Sequence, residues 1–117
     1  MPKLKVPDAP PALAEVGIVL YPECQTGMVL GITDLFHIAG RFAVDHGRAP
    51  VRVSHWRLQD GGGFARCFDS HPDEPGGNSP AVLITPGSLH KLLEAEEVAP
   101  YARWLLDRHA QGTVLAS

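Results

Sequence analysis

Few residues in this chain have side chains that could do chemistry, and the first is Cys24, in the stretch Tyr21-Pro22-Glu23-Cys24 directly after an apolar run. Loops at the carboxyl ends of strands border the ligand crevice of an α/β sheet, so a thiol there could react or touch a ligand. The favoured reading is a small apolar filler, since nothing cationic adjoins it in sequence to favour a thiolate. Cys67 has the weaker case. The second feature is Pro86-Gly87-Ser88, a tight turn after the apolar run Ala81-Val82-Leu83-Ile84-Thr85. Amides of such a turn, beside the positive end of a following helix, could hold a carboxylate or oxyanion. The competing reading is a plain cap, with the Ser88 hydroxyl accepting from a first-turn amide. His90 could contact the same ligand or simply face solvent.

Other chemistries find less support. The six histidines show no ligand spacing, which gives no reason to expect a metal. Asp60-Gly61-Gly62-Gly63 lacks the lysine and the spacing of a phosphate cradle, and no cofactor is expected. The net charge is −3, and arginines are scattered singly from Arg41 to Arg108, whereas a DNA reader needs a clustered basic stripe. Two cysteines are too few for a disulfide framework and suggest reduced thiols and a cytoplasmic protein. Residues 1–14 carry four prolines and no apolar run of secretory length. They read as a flexible, proline-rich lead-in, neither signal peptide nor membrane span.

The elements that must position these residues follow from periodicity. Residues 16–21 form a continuous apolar run, as in a strand buried on both faces of a parallel sheet. Met28, Ile32, Leu35, Phe36, Ala39, Phe42 and Ala43 recur at helical spacing and are expected to face inward, with Asp34, His37, Arg41 and Asp45 outward and Gly47 closing the helix. Residues 51–58 alternate as a second strand, and residues 64–68 could be a short hairpin or edge strand. After the loop at 71–80, a strand at 81–85 leads to a short helix at 89–94. Pro100 is expected at the start of the last helix, whose inner face carries Tyr101, Trp104 and Leu105. Gly112 ends that helix, and residues 113–117 read as a short buried strand. The order predicts one flavodoxin-like α/β domain, a mostly parallel sheet with helices on both faces.

The run VGIVLYPECQTGMVLGITDLFHIAG, the turn ITPGS and the run YARWLLDRHAQGTVLAS together resemble the amino-terminal half of a ThiJ/PfpI domain. More closely, they resemble the sensor domain of GlxA-type AraC-family transcriptional regulators. The similarity covers most of the chain from Glu15 onward, making residues 15–117 a partial domain of this kind. In that family the strand matching residues 113–117 runs into a turn bearing a nucleophilic cysteine, which would lie beyond Ser117. The family's catalytic acid, at the start of the first helix, falls on Met28, whose thioether cannot ionise. Asp34 matches a different family acid, about one and a half turns further along.

The resemblance therefore implies a binding protein rather than an enzyme. It would sense a small metabolite, such as an amine or amino acid, in a crevice near Cys24, Met28, Gly87, Ser88 and His90. DNA would be reached only through a carboxyl-terminal helix-turn-helix domain not present in these residues, and the protein would be a homodimer without a membrane partner. The alternative is a stand-alone cysteine hydrolase or isonitrile hydratase-like enzyme.

Overall fold

In the computed structural model, residues 12–76, 79–89 and 93–117 are described. Most of the proline-rich lead-in, His90 and the middle of the expected helix at 89–94 lie outside them. The elements are β1 (Glu15–Leu20), α1 (Thr26–Asp45), β2 (Arg52–Leu58), β3 (Phe64–Asp69), β4 (Val82–Ile84), α2 (Ala95–Ala110) and β5 (Val114–Ala116). The strands form one sheet in the order β3-β2-β1-β4-β5. All neighbours are parallel except the β2–β3 hairpin, so the fold is a mixed, mostly parallel α/β sheet compatible with a flavodoxin-like architecture.

The central strand β1 is apolar along its length because both faces are covered. Ile18 and Val53 pack under Val29, Ile32 and Phe36 of α1 on one face. Val19, Trp56 and Leu83 pack under Tyr101, Trp104 and Leu105 of α2 on the other. Gly17 sits between these layers where no side chain fits. A Cβ there would lie 2.7 Å from Leu83 Cδ2 and 2.9 Å from Trp56 Nε1.

The hairpin carries a one-residue irregularity that alternation in the sequence does not announce. His55 is opposite Phe68, but Trp56 is opposite Arg66, which leaves Cys67 as the extra residue. The slip moves Arg66 and Phe64 to the α2 side, while Phe68 stays on the α1 side against His55, 4.6 Å between ring centroids. Phe64 stacks on Trp104 at 4.3 Å and 12°, and Arg66 reaches the carboxylate of buried Glu15 through two bonds of 2.9 and 2.7 Å. A second ion pair closes the same end of the sheet. Arg52, 3% exposed, meets Asp69 at 2.8 Å and also donates to the carbonyls of His71, Glu74 and Pro75.

Three expectations need correction. The inward face of α1 is Val29, Ile32, Phe36, Gly40 and Ala43; Met28, Leu35, Ala39 and Phe42 of the expected stripe are exposed instead. Phase decides this, because the sheet selects the stripe nearest its own apolar residues and the helix has more apolar positions than one contact can cover. The final strand is exposed at all three positions, being an edge strand beside β4, although the preceding Thr113 is buried and donates to the Pro80 carbonyl at 2.8 Å. Finally, Pro100 lies inside α2 rather than at its start. The helix begins five residues earlier, where the Glu94 amide donates to Glu97 Oε1 at 3.3 Å and Glu96 and Glu97 complement the helix dipole.

Two opposite stability changes follow. Gly17→Ala should destabilise by about 1–3 kcal/mol, because Leu83 and Trp56 have no room to retreat. Pro100→Ala should restore the hydrogen bond to the Glu96 carbonyl and stabilise by up to about 3 kcal/mol. Urea denaturation of both variants beside the parent chain measures each shift.

Candidate functional site

Strand order reverses beside β1, since the chain passes from β1 to β2 on one side and later returns to β4 on the other. A crevice opens at the carboxyl ends of strands at such a point because the two following loops diverge. Here a cavity of about 560 Å³ lies at the ends of β1 and β2. Leu20, Val29, Leu30 and Leu58 supply apolar wall; Tyr21, Glu23, Cys24, His55, Arg57 and Tyr101 supply the polar groups.

The loop after β1 is held in place by the loop after β4. Tyr21 Oη donates to the Pro86 carbonyl, the Gln25 amide to the Gly87 carbonyl at 2.8 Å, and the Leu89 amide to the Glu23 carbonyl at 2.8 Å. Cys24 and Ser88 form an antiparallel bridge. Glu23 is held in the left-handed region at φ 70°, a conformation that costs a non-glycine residue energy and that these bonds maintain.

The residues expected from sequence are thus divided. Cys24 lines the crevice, and no hydrogen bond reaches its Sγ among the described residues. Gly87 and Ser88 stand beside the crevice as the clip that orders its loop, with Gly87 packed on the Gln25 side chain. Met28 is 44% exposed on α1 and is not among the crevice residues, and His90 lies outside the described residues.

Several crevice residues were not singled out by sequence. Tyr21 and Arg57 occupy strand ends, a position that itself signals ligand contact. Tyr101 reads in sequence as a core residue, and only the packing of α2 brings it to the rim. Its hydroxyl has no protein partner among the described residues, nor does the Arg57 guanidinium. Burial holds both tyrosines above the usual phenol value of 10.0, with the nearby Cys24 thiol adding to the rise. Both hydroxyls therefore stay protonated at neutral pH.

His55 forms the floor between crevice and core. The Thr33 hydroxyl gives its single proton to the Val29 carbonyl at 2.7 Å, so at 2.8 Å it accepts from His55 Nε2, which fixes the imidazole as the Nε2–H tautomer. Burial lowers the His55 pKa from 6.5. Comparisons with protein-family models, with curated proteins and with solved structures found no match to this chain.

The titration of His55 has a definite sign. Because its folded pKa is lowered, the unfolded chain binds a proton that the folded chain refuses, and stability falls as the pH drops below 6.5. Asp69, held below 3.8 chiefly by its bond from Arg52, adds a second loss at more acidic pH. Denaturant midpoints at pH 7.5 and 5.5 should differ more for the parent chain than for His55→Phe.

Proposed function

We propose that this chain is a ligand-sensing domain whose crevice at the ends of β1 and β2 binds a small organic carboxylate, amino acids included. The observation that carries this reading is the pair of donors lining the crevice without a hydrogen-bond partner among the described residues, the Arg57 guanidinium and the protonated Tyr101 hydroxyl. A guanidinium offers a carboxylate paired, charge-assisted bonds, and a phenol adds a third donor. The apolar wall then favours a ligand with a hydrocarbon portion.

Binding rather than turnover is favoured by the setting of Cys24, which has no hydrogen-bonded base to activate it among the described residues. The resemblance to GlxA-type AraC-family regulators supports the wider reading, in which a cytoplasmic regulator passes the signal to DNA through a carboxyl-terminal helix-turn-helix domain. In that setting the clipped loops at 21–25 and 86–89 would report occupancy, because they link the crevice to both halves of the sheet.

Titration calorimetry of the chain against a panel of amino acids, simple carboxylates and amines tests the proposal. Carboxylate-bearing compounds should bind and amines lacking a carboxylate should not. Arg57→Ala should weaken binding by about tenfold or more, the worth of a lost charged hydrogen bond. Binding indifferent to Arg57, or amide or isonitrile turnover abolished by Cys24→Ser, would overturn the reading.

A further inference from the structure

Helix α1 carries two apolar stripes, and the sheet uses only one. About a third of the way round the helix from Val29 and Phe36, a second stripe runs through Met28, Gly31, Leu35, Ile38 and Phe42, spaced alternately by three and four residues. Its large side chains are 44%, 63%, 53% and 64% exposed at Met28, Leu35, Ile38 and Phe42. A continuous seam of this kind is the contact surface of a helix pair, whereas scattered exposed apolar residues would need no explanation.

We infer that this stripe pairs α1 with α1 of a second copy of the chain, antiparallel, about a twofold axis crossing the helix between Phe36 and His37. Three observations choose this occupant. First, Asp34 and Arg41 flank the stripe on the same side, seven residues apart, and neither has an ion-pair partner among the described residues. In an antiparallel pair the flanking residues of one side face each other, so Asp34 meets Arg41 of the partner subunit and the reciprocal pair forms by symmetry.

Second, the same register places Leu35 against Ile38 of the partner subunit and Gly31 opposite Phe42 of the partner subunit. Gly31 has no internal reason to be glycine, since a Cβ there would meet nothing within 4 Å, and glycine in a helix interior costs about 1 kcal/mol against alanine. Gly40, on the inner face, has such a reason, because a Cβ would lie 3.3 Å from Pro50 Cβ. A ring from the facing helix gives Gly31 an equivalent one.

Third, the flanks do not suit a lipid surface. By length and composition α1 is apolar enough to cross a membrane, but its inner stripe is packed on β1 and β2. The outer stripe is bordered by Asp34 and Asp45 as well as by Arg41, not by the run of lysines and arginines that holds a helix to anionic lipid.

The pairing predicts a charge-exchange result that no other contact would give. The purified chain should sediment as a dimer, and Phe42→Glu should sediment as a monomer with unchanged circular dichroism. Asp34→Arg alone and Arg41→Asp alone should each weaken dimerisation about tenfold, since each replaces two attractive contacts by two repulsive ones. An equimolar mixture of these two variants should recover the parent affinity, because every flanking contact between unlike chains is again attractive. A monomeric parent chain, a dimer that survives Phe42→Glu, a mixture no tighter than its components, or binding of phosphatidylcholine–phosphatidylglycerol vesicles by a monomer would each overturn the inference.

Discussion

The arrangement on which the rest of this fold depends is the seat of Trp56 over Gly17. The indole crosses the central strand where β1 has no side chain, and its Nε1–H donates to Ser54 Oγ at 2.9 Å. Ser54 Oγ donates in turn to the Glu15 carboxylate at 2.5 Å, which accepts from Arg66, whose guanidinium stacks 4.8 Å above the Trp56 ring. The circuit closes on itself. A buried carboxylate is costly unless paired and hydrogen-bonded, and here both conditions are met by groups from β2 and β3. Because each member depends on the next, the circuit fixes the register of three strands at once.

That circuit also explains the irregularity at Cys67. Regular alternation would leave Arg66 on the α1 face, far from Glu15, and would put Phe64 and Phe68 on one side. One extra residue resolves both problems, sending Phe64 to Trp104 and Arg66 to Glu15 while Phe68 remains against His55. The aromatic cluster so formed then aligns α2, and with it Tyr101, whose ring lies 5.4 Å from Phe64 and 6.5 Å from Tyr21. The rim of the crevice is therefore set by packing that begins at the opposite end of the sheet.

The crevice itself joins a rigid floor to tethered walls. His55 and Val29 belong to the core, whereas the Tyr21–Gln25 segment is positioned by bonds to the turn after β4. Glu23 takes its left-handed conformation inside that bonded segment. On the outer side of the molecule the excess apolar surface of α1 is a separate property. It lies away from the crevice and needs no change in the sheet to be used.

Much of this protein was legible in the sequence. The apolar run of β1 and the helical spacing of α1 indicated an α/β sheet, and Gly47 and Gly112, both at positive φ, marked where helices stop. Cys24 was placed correctly in the loop after β1 because strand ends and loop composition are local properties. What the sequence could not settle was which stripe of α1 turns inward, where α2 begins, and which residues line the crevice. Met28 and Phe42 look as suited to a core as Val29 does, and only the shape of the sheet chooses between them. Pro100 is a poor interior residue by local rules, but the packing of Tyr101, Trp104 and Leu105 on β1 and β2 outweighs the hydrogen bond it removes. Arg57 and Tyr101 lie far apart in the chain and become neighbours of one cavity only after β2 and α2 pack against the same strand. Periodicity and turn chemistry act over a few residues and so are written in the sequence, whereas phase, register and the convergence of distant side chains are many-body outcomes that only the packed structure decides.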